Sequence, residues 1–214
     1  AVGRREDQVR AADALRRRAE PVDILFLATG SPAERLLLDR SKCRWQTFPA
    51  GKWRRYFSLW NFLDLFVVLF AFLRAAWLLS RWKPDLVASA GSYLSVPVVW
   101  AARLLGIPVA LHQQDVLPGL ANRFMTGSAS LITVSLEATR GKFPLSKKVL
   151  WTGNPVRKNL AHGDSQKALR LFDLDPSLPT VLVLGGSSGA RGINRLIAQA
   201  KPLLADFAQI IHVT

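Results

Sequence analysis

Short apolar runs that end in small residues recur along the chain, and a helical pattern follows most of them. The first is Val22 to Ala28 (VDILFLA), closed by Thr29-Gly30-Ser31-Pro32, with a helix expected from Ala33 to about Lys42. Asp85 to Ala90 leads into Gly91-Ser92-Tyr93 and a helix from about Val96 to Leu105; Ile107 to His112 follows directly. Leu131 to Ser135 and Val149 to Thr152 read as two further strands, the second ended by Gly153-Asn154-Pro155. Thr180 to Leu184 opens into a glycine-serine turn and a helix from Ala190 to about Ala205, and Ile210 to Val213 begins another strand. Strands apolar on both faces and alternating with helices imply a parallel sheet between helical layers. The expected fold class is α/β, doubly wound, with ligands at the carboxyl ends of the strands.

From about Val156 to Pro179 the chain turns polar and charged, with Asp175-Pro176 and Leu178-Pro179. This sets a first domain at 1–157, a linker at 158–179 and the start of a second α/β domain at 180–214. About 35 residues are too few for such a domain, so the chain reads as cut at its C-terminus. It reads as cut at the N-terminus as well. A helix at Glu6 to Ala19 precedes the first visible strand, whereas doubly wound domains begin with a strand and a glycine-rich turn.

Charge narrows the function. Lys and Arg outnumber Asp and Glu by 29 to 15, a net +14, so a partner of opposite sign is expected: nucleic acid, anionic lipid or a phosphorylated substrate. With 50% hydrophobic residues the chain is no disordered tail. The single cysteine, Cys43, cannot form an intramolecular disulfide and fits a reducing compartment. Arg4 to Glu20 is charged and helical, without the apolar core of a signal peptide.

The segment Lys52 to Trp82 carries a membrane signal. Lys52, Trp53, Arg54, Arg55, Trp60, Arg74 and Trp77 combine cations with aromatic rings, which suits an anionic interface. Leu65 to Leu73 is an unbroken apolar run, bracketed by Asp64 and Arg74. A span needs roughly 20 apolar residues. A buried or interfacial helix over 59–79 is therefore favoured over a true span, with Leu65 to Leu73 packing in the core and the flanks meeting the membrane.

Three turns are candidate ligand sites. Gly185-Gly186-Ser187-Ser188-Gly189 lies between an apolar strand and a helix, where glycine lets backbone approach a ligand and helix N–H groups attract phosphate; a plain tight turn is the alternative. It is neither a Walker A loop nor a G-x-G-x-x-G fingerprint. Ala90-Gly91-Ser92-Tyr93 is a weaker turn of the same kind. His112-Gln113-Gln114-Asp115 closes an apolar strand with four polar residues, which suits a site, although Asp115 could instead cap the helix near Gly119. Arg157 after Thr152-Gly153-Asn154-Pro155 suits diphosphate or carbonyl recognition, or is a plain surface arginine. No metal-ligand spacing and no nucleophile elbow occurs.

These motifs, in this order, resemble the MurG family of UDP-N-acetylglucosamine transferases. The matching stretches are GKWRRYFSLWNFLDLF (51–66), KPDLVASAGSYLSVPVVWAARLLGIPVALHQQD (83–115), PGLANR (118–123), TGNPVR (152–157) and LGGSSGARGIN (184–194). The resemblance implies a GT-B fold of two Rossmann-like domains, the second only partly present. It implies metal-independent, inverting transfer of N-acetylglucosamine to the undecaprenyl-linked muramyl-peptide precursor of peptidoglycan, at the cytoplasmic face of the membrane and with no cofactor. By position, sugar-nucleotide contacts fall on Asp115, Arg157 and Ser187, with Gly185, Gly186, Ser188 and Gly189 in the donor-side turn. Gly91 and Tyr93 match the acceptor-side turn, and His112 is a secondary catalytic candidate.

Three departures stand out. The family's first glycine loop, with its histidine, would precede residue 1. Gln113 stands where the family has Glu, and Ala90-Gly91 where it usually has Gly-Gly. Much of the sugar-nucleotide half would lie beyond Thr214. The chain as given is therefore expected to be inactive by itself. A competing reading is a non-catalytic membrane-docking half of a split GT-B enzyme, against which the 185–189 turn argues. A nucleic-acid-binding module rests only on charge and the tryptophans, with no RNP, KH or helix-turn-helix pattern behind it.

Overall fold

The computed structural model describes residues 22–40, 43–49, 60–156, 163–185 and 190–213. The helix expected at Glu6 to Ala19 lies outside them. The chain divides into two compact units, Ala1–Val156 and Arg157–Thr214.

The first unit opens with strand β1 (Leu25–Ala28), helix α1 (Pro32–Arg40) and strand β2 (Arg44–Thr47). Proline opens α1, where its missing N–H costs nothing. The Glu34 carboxylate accepts from Thr29 N at 2.9 Å and Thr29 Oγ1 at 2.6 Å, tying the turn before the helix to its first turn. β1 and β2 pair in parallel, Leu25 opposite Arg44. The long helix α2 (Trp60–Trp82) follows.

Four parallel strands then run in sequence order: β3 (Val87–Ser89), β4 (Val109–Gln113), β5 (Leu131–Val134) and β6 (Val149–Trp151). Helices α3 (Ser95–Leu104) and α4 (Leu120–Thr126) make the first two crossovers, and a 3-10 segment (Glu137–Lys142) lies in the third. Alternate residues of β4 (Val109, Leu111, Gln113) are buried, as are Ile132 and Val134 of β5. All but Gln113 join Val98, Val99, Ala101 and Ala102 of α3 in one core. Leu27 and Phe48 join β1 and the end of β2 to that same core, although β1 and β3 belong to separate sheets.

Helix α2 corrects one expectation. Ala71, Ala75 and Leu79 form its buried face, four residues apart, and the small alanines let it lie close to α3. Phe66, Leu69, Phe70, Leu73 and Trp77 are each more than half exposed. Within the apolar run expected to pack in the core, Ala71 does so and Phe72 packs against it, whereas Phe66, Leu69, Phe70 and Leu73 form an outward stripe. One helix face suffices to cover the domain, and the large side chains occupy the other.

The second unit contains α5 (Ser165–Phe172), β7 (Thr180–Leu184), α6 (Arg191–Leu204) and β8 (Gln209–Val213). β7 and β8 pair in parallel, Thr180 opposite Gln209. Helix α5 falls where the composition suggested a linker. Asp164 caps it by accepting from Lys167 N at 3.0 Å, and Asp173 ends it in a left-handed conformation. Gln209 reaches back with its Nε2 to Asp175 O at 2.6 Å and Thr180 Oγ1 at 3.1 Å, fastening β8 to the segment before β7.

Candidate functional site

The parallel register of β3 to β6 brings Ser89, Gln113, Ser135 and the residues after Trp151 to one edge of the sheet. This carboxyl edge is where open α/β sheets take ligands. His112, at the end of β4, uses both ring nitrogens there. Its Nδ1 lies 2.8 Å from Thr133 Oγ1 on β5 and its Nε2 2.9 Å from Asn154 Oδ1 beyond β6. Ser135 Oγ donates to the same Asn154 oxygen and stands 3.3 Å from Nε2. An oxygen acceptor on Nε2 calls for a proton there, which leaves Nδ1 to accept from Thr133. His112 is thereby tied into β5 and the segment after β6, an arrangement suited to holding that segment in place.

The turn after β3 is the second component. Gly91 has φ +85°, a left-handed conformation open to glycine. Its N–H donates to Ser89 Oγ at 3.2 Å. A Cβ at Gly91 would stand 2.9 Å from both Nδ2 and Oδ1 of Asn122, so side-chain bulk as well as backbone selects glycine here. Tyr93 is half-buried and α3 starts two residues later, with Pro97 in its first turn. The N-terminal N–H groups of α3 thus stand beside the turn.

The 114–119 loop is the third component. Gln113 is buried, and its Nε2 donates to Asp115 O at 2.8 Å and Leu117 O at 3.0 Å. Asp115 itself is exposed, and the N-cap of α4 is Gly119, so Asp115 stands outside the cap position. Asn122 Nδ2 donates to Gln113 Oε1. Asn122, Ser135, Thr133 and Asn154 were not singled out from the sequence. Asn122 and Asn154 lie inside the PGLANR and TGNPVR stretches, the signal that marks them; Thr133 and Ser135 sit in an ordinary strand pattern.

Arg157, Gly186, Ser187, Ser188 and Gly189 lie outside the described residues, as do Lys52, Trp53, Arg54 and Arg55. Gly185 ends β7, where a Cβ would meet Ala190 Cβ at 3.0 Å across the start of α6. Trp60 opens α2. On α2, the Arg81 guanidinium stacks 5.5 Å over the Trp77 ring, and Arg74 lies 5.6 Å from the Phe48 ring. The exposed stripe is therefore edged by cations. Among the described residues no helix is long and apolar enough to cross a membrane, and no group of three or more His, Cys, Asp or Glu could hold a metal ion.

Comparison with known proteins adds the following. The glycosyltransferase family 28 N-terminal domain matches residues 9–134. Over 191 residues the chain is 36% identical to a Bacillus anthracis protein named UDP-N-acetylglucosamine--N-acetylmuramyl-(pentapeptide) pyrophosphoryl-undecaprenol N-acetylglucosamine transferase 2, covering 89% of this chain and 54% of that one. A transferase of the same name from Treponema denticola is 42% identical over 166 residues, covering 77% of this chain and 42% of that one. The chain thus spans about half the length of the curated relatives it matches. Among solved structures, Acinetobacter baumannii MurG superposes with a TM-score of 0.67 at 25% identity, over 96% of this chain and 56% of that one. A Neisseria meningitidis UDP-GlcNAc 2-epimerase bound to UDP-GlcNAc shares the fold, with a TM-score of 0.62 at 13% identity, over 100% of this chain and 70% of that one.

Proposed function

The chain belongs to glycosyltransferase family 28, whose N-terminal domain it carries at residues 9–134, and from this premise we propose that the whole protein is an inverting hexosyltransferase of peptidoglycan synthesis. It moves N-acetylglucosamine from UDP-N-acetylglucosamine to a lipid-linked N-acetylmuramoyl-peptide. The observation that carries this reading is the identity, 36% and 42%, to relatives bearing that activity in their names. The polar cluster at the carboxyl edge of β3 to β6 supports it.

In this reading the C4 hydroxyl of the acceptor sugar attacks the anomeric carbon of the donor. The bond from that carbon to the diphosphate oxygen breaks, the configuration inverts, UDP leaves with the electron pair, and the hydroxyl gives up its proton to a general base or to water. Gly91 and Tyr93, beside the N-terminus of α3, face the diphosphate of the lipid acceptor. Asp115, Arg157, Ser187 and the glycine turn (Gly185, Gly186, Ser188, Gly189) serve the sugar nucleotide. Helix N–H groups and the Arg157 guanidinium stabilise charge on the departing diphosphate. His112, with both ring nitrogens engaged, suits a positioning role better than that of the base.

The acceptor's lipid requires a membrane surface, and the stripe on α2 answers to it. Large apolar and aromatic side chains stand exposed at helical spacing, edged by Arg74 and Arg81, as in helices that lie in a headgroup layer. Attraction to anionic lipid at the cytoplasmic face accounts for the excess of Lys and Arg.

The test is an assay of the full-length protein with UDP-N-acetylglucosamine labelled in the sugar and a polyprenyl-diphosphoryl-muramyl-peptide. Label carried into the lipid fraction is the expected result. Release of free labelled sugar, or its epimerisation without transfer, overturns the proposal.

A further inference from the structure

Beneath the Gly91 turn lies a file of buried amides that the transfer chemistry leaves unexplained. Gln113 is 2% exposed and Asn122 4% exposed. The Gln113 amide donates to two carbonyls of the 114–119 loop, Asp115 O at 2.8 Å and Leu117 O at 3.0 Å. Its Oε1 accepts from Asn122 Nδ2, which also lies 3.4 Å from His112 O. Asn122 Oδ1 is buried and has no hydrogen-bond partner among the described residues.

The direction of this file is forced. The two loop carbonyls can only accept, so the NH2 of Gln113 must face them and its oxygen must face Asn122. Asn122 must then present NH2 to Gln113, which leaves its own oxygen under Gly91. Rotating either amide would set oxygen against oxygen. A buried acceptor without a partner is costly and rare, and one kept in a ligand-facing edge calls for a reason. Gly91 stands directly on this side chain, with a Cβ position 2.9 Å from both terminal atoms of Asn122.

We propose that Asn122 and Gln113 are positioning residues that lock the Gly91–Tyr93 turn to the 114–119 loop, so that the acceptor-side turn and Asp115 are set as one unit. Only amides do this without titrating. A carboxylate at 113 would face two carbonyls and a carboxylate at 122 would face the Gln113 oxygen, and either works only while it holds a proton. Gln113, where the resembled family has Glu, thus fits its surroundings as a donor.

The assay readout rests on the function proposed above; the spectroscopic one does not. In the full-length protein, Asn122→Asp and Gln113→Glu are each measured beside wild type across pH 5 to 9. Burial raises the pKa of either new carboxyl. The expected result is acceptor KM near the wild-type value at the acid end and rising about tenfold as the carboxyl ionises, the loss of roughly one hydrogen bond, with donor KM unchanged. His112, Asp115, Tyr93 and Arg123 on β4, the two loops and α4, and Glu137, Arg140 and Lys142 on the 3-10 segment that meets the 114–119 loop through Thr139, are common to all three proteins and cancel in the comparison. Independently of activity, backbone amide resonances of Gly91, Ser92, Val116 and Leu117 should move together with pH in Asn122→Asp and stay fixed in wild type.

A pH-independent loss in both variants, or shifts confined to one side of the pair, overturns the lock. If wild type fails to transfer while the resonances move as described, the functional reading falls and the lock stands. If Asn122→Asp does not fold, Gln113→Glu decides by the same two readouts.

Discussion

The sheet of the first unit and the strand pair of the second are written in the same sequence idiom and end in different circumstances. β4 and β7 are both apolar runs ending at a carboxyl edge that leads to a helix. In β4, Val109, Leu111 and Gln113 are buried and the residues between them are half-buried. In β7, Val183 is buried while Val181, Leu182 and Leu184 are exposed. Helices α5 and α6 contain no buried residue, whereas α3 buries six. An apolar run specifies a strand, but what it contributes to stability depends on what covers it.

The sharpest way to break this contrast is to truncate one side chain in each region. Ile132, fully buried in β5, should lose about 2–5 kcal/mol on mutation to Ala. Leu182, 57% exposed in β7, should lose no more than about 0.5 kcal/mol. Urea-unfolding midpoints of the two variants measure the difference, and equal losses would refute the contrast.

The two glycine turns give a second comparison. Gly91→Ala combines a left-handed φ with a Cβ 2.9 Å from Asn122, and should cost about 2–4 kcal/mol. Gly185→Ala meets Ala190, its Cβ at 3.0 Å and its backbone N at 3.4 Å among the described residues, and should cost about 1 kcal/mol or less. Thermal melts of both variants rank them.

Within the second unit, Asp164→Ala removes the cap of α5 and should cost about 1 kcal/mol, read from exchange of the α5 amides. The outward stripe of α2 is a further contrast, between exposure and stability. Leu73→Glu and Trp77→Glu should shift stability by no more than about 0.5 kcal/mol while weakening sedimentation of the full-length protein with anionic vesicles. Unchanged vesicle binding would remove the stripe from the docking surface.

The smallest effect concerns Asp175. The Ser177 hydroxyl and backbone N–H both donate to its carboxylate, at 2.6 and 2.8 Å, and hold its pKa below the usual value. A depressed carboxylate pKa means stability present above the unfolded-state pKa and lost as pH falls through the folded one. Ser177→Ala should raise the Asp175 pKa toward 3.8, observable by NMR titration of its carboxyl carbon.

Most strands were legible in advance because apolar runs such as VDILFLA and TVLVL, closed by small and turn residues, mark a strand whether or not both faces end up covered. β2 was not, since Trp45 is the one large apolar residue in Arg44–Thr47, and its pairing with β1 supplies what its composition lacks. α5 falls in a stretch whose polar, charged composition and Asp-Pro and Leu-Pro pairs suggest a linker, although Asp164 before Ser165 is a helix-start signal. Within the site, the turn at Gly91 and the polar run at His112 stood out as breaks in apolar strands. Asn122 was marked only by its place in PGLANR, because by itself an asparagine in a helix looks like any solvated polar residue until its 4% exposure is known.

Local order is a property of neighbours along the chain, so periodicity, turn residues and small-residue strand ends determined which segments became strands and helices. Which face of a segment meets the core is a property of neighbours in space. The run Leu65 to Leu73 of α2 is apolar at every position, and periodicity could not say that Ala71, Ala75 and Leu79 would turn inward. The amides of Gln113 and Asn122 became a directed pair only because parallel pairing carried β4 to the edge where α4 begins. Hydrogen-bond direction depends on which acceptors come within reach, and that was decided by the packing of the sheet.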